Sequence, residues 1–361
     1  MKNLRNHFPV VKHSTYLNTA ATGLLSEQVF EYKQEQDLEF LTLGSLFRDK
    51  KSDLMAEIRE NLARFFSAEA NKIALVPNFS FGFNVLLEGV KKNTKFLLID
   101  QDYPSINLAV EARDFEVCYA ELNENLEENI YKTIQKDKPE IFAFSIVQYT
   151  NGIKLEQEFL RQLKTDFPDL ILVADGTQYC GTEKFSFKDS KIDVLGASAY
   201  KWMNAGFGHA FFMFQENIAS KIYPKTNGFG SSIGKYKQED NSFIGKFEPG
   251  HLDTSAIGAM LPAIHLLEKI GISTIENQLK NLAEAAKKSF EEKQLLMEAV
   301  SKRKKHSTIF NIKGDDKLFQ HLMENNIVCS QRGNGIRISF HYYNTLEDLE
   351  KLMKVIAKFK G

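Results

Sequence analysis

The chain has 361 residues, 43% of them hydrophobic and 26% charged, enough to fill one large domain and a smaller one. Its 46 basic and 47 acidic residues are interspersed and leave a net charge of −1, so no polyelectrolyte attraction favours nucleic acid or an acidic membrane, and a small-molecule partner is expected. No window approaches the roughly 18 apolar residues of a spanning helix, the first residues lack an apolar leader core, and Cys118, Cys180 and Cys329 are scattered without CxxC spacing, so the expectation is a cytoplasmic protein with neither a disulfide framework nor a metal site.

Along the chain, short apolar runs alternate with longer amphipathic segments, an α/β rhythm. Strands are predicted at residues 72–76, 95–99, 141–145, 170–174, 192–196 and 209–213. Runs that are apolar throughout suit a mostly parallel sheet covered on both faces, with functional loops leaving the strand C-termini. Beyond residue 256 long helical stretches follow, at 256–270 and from 274 to about 292. A short α+β unit comes next, with strand candidates at 307–312, 326–329 and 335–340 and a last helix at 346–359. The expected organisation is a large domain over residues 15–260 and a small C-terminal domain over 261–361, joined by residues 1–14.

Asp175 and Lys201 carry the most chemistry. Asp175 leaves the buried run Leu172-Val173-Ala174 and Lys201 follows 26 residues later, closing Gly196-Ala197-Ser198-Ala199-Tyr200-Lys201. A lysine amine that condenses with an aldehyde, and a carboxylate that keeps a pyridine nitrogen protonated, are what pyridoxal 5′-phosphate (PLP) requires. Burial would lower the lysine pKa and favour the neutral, nucleophilic amine. The alternative for Asp175 is an Asp-Gly turn, but an unpaired charge at the end of a buried strand is costly, which favours a cationic partner.

Four segments in this order, Tyr16-Leu17-Asn18-Thr19-Ala20-Ala21-Thr22-Gly23, Ala174-Asp175-Gly176-Thr177-Gln178, Ser198-Ala199-Tyr200-Lys201 and Ile336-Arg337-Ile338-Ser339-Phe340-His341, resemble the class V aminotransferase family. This is the branch of fold-type I PLP enzymes that includes cysteine desulfurases, kynureninases and isopenicillin N epimerase-like proteins. The resemblance implies an α/β fold with a mostly parallel seven-stranded sheet in the large domain and a smaller α+β domain. It also implies a homodimer with active sites at the interface and an amino-acid substrate.

Residue by residue, it implies Lys201 as the Schiff-base lysine, Asp175 at the ring nitrogen and Gln178 at the phenolic oxygen. Asn78, Phe79, Ser80 and Ser198 fall at the phosphate, with Tyr200 where desulfurases carry a phosphate-binding histidine. Phe79, Phe81 and Phe83 alternate at period two, which alone favours a strand, whereas the resemblance places a helix N-terminus there. Tyr103 is the residue expected to stack on the ring, and Tyr149, or Gln148 beside it, is expected near the phenolic oxygen. Arg337 matches the carboxylate-binding arginine, with a strand arginine snorkelling to solvent as the alternative reading, and Arg332 is a second anion-binding candidate. Asn18, Ala20 and Ala21 resemble a loop closing over substrate.

Two departures matter. Desulfurases carry a sulfur-accepting cysteine on an extended loop before the arginine strand, but here Arg332 and Arg337 are five residues apart with no cysteine between them. Phe247-Glu248-Pro249-Gly250-His251 replaces a Gly-Thr that contributes to the neighbouring subunit's phosphate site, leaving His251 to serve instead. Transamination, with Lys201 as general base, is the leading expectation; β-elimination by a lyase, epimerisation and a non-catalytic PLP-binding scaffold are the alternatives.

Overall fold

A computed structural model describes residues 4–49, 51–237 and 242–359. In chain order the strands are β1 (Thr15–Tyr16), β2 (Ile73–Val76), β3 (Lys95–Ile99), β4 (Glu116–Ala120), β5 (Ile141–Ser145), β6 (Ile171–Asp175), β7 (Val194–Ser198), β8 (Ala210–Phe214), β9 (Ile309–Lys313), β10 (Ile327–Val328), β11 (Ser330–Arg332) and β12 (Gly335–Ser339). Seven of them form one sheet in the order β2-β8-β7-β6-β5-β3-β4, in which only β8 runs against its neighbours. Every residue of β5 to β8 is buried, as expected of strands covered on both faces. The chain steps outward from β3 to the edge strand β4 and then returns to β5 on the other side of β3. This reversal is a topological switch point, where an open α/β sheet leaves a crevice beyond its strand ends.

The phenylalanine run after β2 is helical. Asn78 caps the helix Phe79–Glu88, its Oδ1 accepting from the Phe81 N–H at 2.8 Å. Phe79 and Phe83 are buried and stack on each other at 5.5 Å, and Phe79 also stacks on Phe212 of β8 at 5.6 Å, while Phe81 is exposed. Burial at i and i+4 with i+2 outside is a helix face, and it overrules the period-two reading. Gly82 permits the close approach, because a Cβ there would lie 2.3 Å from the Phe212 ring.

In the C-terminal region β9, β12 and β11 form an antiparallel sheet backed by the helices Asp316–Glu324 and Leu346–Lys358. The N-terminal strap lies on this unit: β1 pairs with β10, Asn18 bridges to Ser339, Arg5 binds Asp348 at 2.6 Å, and Phe8 packs against Tyr342 and Tyr343. The helical stretch after residue 253 is interrupted at Ala259, giving Thr254–Gly258 and Met260–Ile270, and is followed by Ile272–Glu292. No single helix among the described residues is long and apolar enough to cross a membrane.

Candidate active site

The crevice beyond β3, β5, β6 and β7 is closed on one side by the N-terminus of the helix Phe79–Glu88. Asn78, Phe79, Ser80, Tyr103, Tyr149, Asp175, Gln178, Ser198, Tyr200 and Lys201, all singled out by sequence, line one cavity there. Ladder registers place Ser145 opposite Asp175 and Asp175 opposite Gly196, so the carboxylate emerges between two strand ends.

Asp175 and Lys201 are both buried and each moves the other's titration. Burial raises the Asp175 carboxyl, bonds from Thr177 and the charge of Lys201 pull it back, and the buried Asp102 adds a smaller upward push. Burial brings the Lys201 amine down to about 7; Asp175 opposes this, and Arg337 and Arg332 push it further down. A lysine in that range holds a large neutral fraction near neutral pH, the form that attacks carbonyl carbon and accepts a proton. Its Nζ lies 5.6 Å from the Tyr103 ring centroid and 5.4 Å from that of Tyr200, and Tyr149 meets Tyr103 edge-on at 5.3 Å. Burial pushes the Tyr200 phenol up to about 12, so it stays a neutral donor.

At the helix end, Ser198 Oγ accepts from the Phe79 N–H at 2.9 Å, Ser80 Oγ lies 2.7 Å from Ser105 Oγ, and Thr177 Oγ1 accepts from the Ser198 N–H at 3.0 Å. Capping commits the carbonyl oxygen of Asn78 to the helix and leaves its amide nitrogen as the donor. Gln178 spans two elements: its Nε2 donates to the Ala20 carbonyl at 2.9 Å and its Oε1 accepts from Trp202 Nε1 at 2.8 Å. One Nε2 hydrogen remains for a bound group. Of the neighbours Gln148 and Tyr149, only Tyr149 lines the cavity, because Gln148 is buried with its Nε2 directed at the Ser145 carbonyl at 3.4 Å.

The strap enters through Ala20, whose N–H donates to Ser339 Oγ at 2.9 Å, while Ala21 N–H donates to the Asn18 carbonyl at 2.9 Å. Gly23 seats the strap against the lysine segment, its N–H on the Tyr200 carbonyl at 3.0 Å; a Cβ there would lie 1.9 Å from the Lys201 carbonyl oxygen. Asn18, Ala20 and Ala21 therefore lie behind Gln178 and are not among the lining residues. Arg337, 2% exposed, donates from Nη1 to the Tyr149 carbonyl at 2.8 Å and leaves Nε without a partner; burial and nearby Arg332 bring its guanidinium down to about 10. Arg332 is exposed at the hairpin end between β11 and β12. His251 is elsewhere, in a cavity of about 330 Å³ with Phe229, Arg59, Lys237 and Glu248.

Sequence reasoning missed Ser145, Val147 and Thr177 in the lining, and Asp102 beneath it. Asp102 is buried, and its two oxygens accept from the N–H of Tyr103 at 2.6 Å and of Ser145 at 2.8 Å, tying the loops after β3 and β5 together. A carboxylate two residues before Pro104 and three after the end of a buried strand was the available signal.

These residues fit PLP. The hydroxyls of Ser80 and Ser198 converge at a helix N-terminus for a phosphate, a buried carboxylate and the lysine line the same cavity, and a buried guanidinium leaves its Nε without a partner. Ser198, Ser80 and the start of the helix would hold the phosphate, Asp175 the ring nitrogen and Lys201 the aldehyde carbon. Fold and site define a PLP-dependent enzyme of fold type I.

The chain belongs to the class V aminotransferase family, whose profile, "Aminotransferase class-V", matches residues 15–352. Among curated proteins, it is 22% identical to the "Uncharacterized aminotransferase YcbU" of Bacillus subtilis, over 98% of this chain and 96% of that one. It is 24% identical to a "Probable cysteine desulfurase" of Ureaplasma parvum, over 100% and 98%. Among solved structures, the cystine C–S lyase C-DES in complex with its product cysteine persulfide superposes with a TM-score of 0.88, covering 98% of this chain and 100% of that one at 18% identity. The apo cysteine desulfurase of Thermococcus onnurineus NA1 gives 0.85 at 20% identity, over 98% and 96%.

Proposed function

We propose that the protein is a PLP-dependent lyase that eliminates a sulfur leaving group from the β-carbon of an amino acid and releases it to solution, without loading it on a cysteine of its own. The observation that carries this reading is the pairing of a half-neutral Lys201 with a site that has no thiol. The turn from Arg332 to Gly335 is tight, Cys329 is buried with its thiol pushed up to about 12, and burial also raises Cys180 far above its ordinary range. The relatives named desulfurases and the neighbour named a cystine C–S lyase support cleavage of a carbon–sulfur bond over the transamination expected from sequence.

PLP, when bound, supplies the electron sink that acidifies the substrate Cα–H. Arg337 would bind the substrate carboxylate with the N–H groups it leaves unused, and the Tyr103, Tyr149 and Tyr200 rings keep water from the amine. Lys201 Nζ would take the α-proton, the sulfur would leave Cβ with the bonding electron pair, and hydrolysis of the released enamine would give a 2-oxo acid and ammonium. Transamination is the second reading, favoured by the relative named an aminotransferase over nearly the whole chain.

The exposed Phe30, Leu38, Phe40, Leu41 and Leu46 on the helices Glu27–Leu43 and Ser45–Asp49, with Phe229 and Ile233 beside His251, support a homodimer that covers them. A purified sample tests the scheme. Cystine and cysteine conjugates are expected to yield 2-oxo acid and ammonium without any added oxo acid; a strict requirement for an amino acceptor would establish transamination instead. Lys201→Ala is expected to lose both turnover and the borohydride-sensitive visible absorption of the cofactor.

A further inference from the structure

Asp102 is a buried carboxylate with no cation of its own: among the described residues no lysine, arginine or histidine forms an ion pair with it. Hydrogen bonds take the place of a counterion. Oδ1 accepts the Tyr103 N–H at 2.6 Å, Oδ2 accepts the Ser145 N–H at 2.8 Å, and the side chains of Ser145 and Gln148 bond to the group as well. Burial raises this carboxyl, and these donors oppose the rise by favouring the ionised form.

The backbone is bent to bring the carboxylate there. Strand β3 ends at Ile99, whose carbonyl accepts the Asp102 N–H at 3.2 Å across a turn in which Gln101 takes φ +59°. That left-handed conformation is unfavourable for a glutamine and persists where the surroundings enforce it. Tyr103 comes next, and its main chain is gripped at both ends. Asp102 holds the N–H, the Ile106 N–H donates to the carbonyl at 2.8 Å, and Pro104 opens the helix Pro104–Glu111 directly after it. The Tyr103 side chain makes no cap hydrogen bond to that helix; it lines the cavity, with its ring centroid 5.6 Å from Lys201 Nζ. The other oxygen of Asp102 holds Ser145, which ends β5 opposite Asp175 and leads into the segment that carries Tyr149. The Tyr149 ring in turn meets Tyr103 edge-on at 5.3 Å. One planar carboxylate thus sets the spacing between two cavity walls.

We propose that Asp102 is a positioning residue of the cofactor site: by accepting the Tyr103 and Ser145 N–H groups together, it holds the Tyr103 ring against bound PLP. Asp102 is not among the lining residues, so it acts through Tyr103 and not by contact. The inference rests on PLP as the cofactor and is independent of which reaction Lys201 performs.

Titration of the apoprotein with PLP, followed by the visible absorption of the bound cofactor, tests this without an assay of turnover. Failure of the parent protein to bind would overturn the cofactor reading, and the proposal with it. Asp102→Asn keeps the shape but has one acceptor oxygen, so its amide nitrogen faces one of the two N–H donors; the Kd for PLP is expected to weaken by about tenfold or more. Tyr103→Ala is expected to weaken it by a similar factor through the lost ring contact. In Asp102→Asn/Tyr103→Ala the Kd should lie within about twofold of that in Tyr103→Ala alone, because no ring is left to place. Hydrogen exchange on the unaltered apoprotein needs no variant: the Tyr103 and Ser145 amides are expected to be protected and to open together. Three results would overturn the proposal while PLP binding stands: an unchanged Kd in either single variant, losses that multiply in the double variant, which mark a general loosening of the fold, or exchange of either amide as fast as in an unstructured chain.

Discussion

Arg59 and Arg337 are both 2% exposed, yet the protein treats them in opposite ways. Arg59 has a partner on each of its three nitrogens: Nη2 reaches both oxygens of Glu248 at 2.5 and 2.7 Å, Nε donates to the Ile73 carbonyl and Nη1 to the Met55 carbonyl, and Lys237 binds the same carboxylate at 2.8 Å. Glu248 also accepts the Leu75 N–H at 2.7 Å, which fastens β2 to the loop that follows Phe247. Arg337 has one carbonyl and an orphaned Nε. A buried cation whose hydrogen bonds are complete is a structural tie, whereas one left incomplete is held ready for an anion from outside.

The largest effect should come from breaking the complete site. Glu248→Ala would leave Arg59 and Lys237 buried without their carboxylate, and a loss of about 3–5 kcal/mol in unfolding free energy is expected, read from the urea midpoint at constant slope. Arg337→Met is the converse. Its stability is expected to be unchanged or slightly higher, because a poorly satisfied buried charge is removed, while substrate binding should weaken by about 2–4 kcal/mol, roughly 30- to 1000-fold in KM for a carboxylate-bearing substrate. Arg337→Lys keeps the charge but not the planar fork and should recover only part of this. If Arg337→Met unfolded as early as Glu248→Ala, the two guanidiniums would not differ in kind.

How far each site was legible follows from the distances along the chain that join its parts. Asp175, Ser198 and Lys201 stand at the ends of apolar runs, so local pattern plus ordered motifs located them, and the helix after β2 was placed by resemblance against its own periodicity. Edge strand β4 was missed because Glu116 and Tyr119 face solvent and dilute its apolar signal. The Arg59–Glu248 tie joins residues 189 positions apart, which no local pattern encodes, although Arg59 falls on the buried face of its helix with Met55, Leu62 and Phe66. A charge on an apolar helix face was the signal that something must pair with it. Thr177 and Ser145 went unread because their roles depend on registers between strands.

pH sharpens the contrast through Lys201. Its folded value of about 7 lies below the roughly 10.4 of an unfolded lysine, so between those values the unfolded chain holds the extra proton, and stability of the cofactor-free protein is expected to rise with pH across that window. Uptake of PLP, which needs the neutral amine, should likewise reach half its maximal rate near pH 7 instead of near 10. Arg337 is one of the charges that push Lys201 down, so Arg337→Met should move that half-point upward, and Arg59→Met should leave it in place. An unmoved half-point in Arg337→Met would mean that burial alone sets the lysine.

Arg332 should give the smallest effect, and its size tests whether exposure or charge decides the matter. Like Arg337 it lowers Lys201, but it sits in water at the hairpin end, with Nη1 on the Gln331 carbonyl at 2.8 Å. Water and salt screen such a charge within about 8–10 Å, so Arg332→Ala is expected to raise KM by no more than about fivefold, and the difference from the parent protein should vanish as ionic strength approaches 1 M. The Arg337→Met defect should persist in the same salt, because a buried hydrogen-bonded contact is screened far less. A salt-insensitive loss in Arg332→Ala, as deep as that in Arg337→Met, would mean that the hairpin folds inward over substrate and that both guanidiniums work from inside the site.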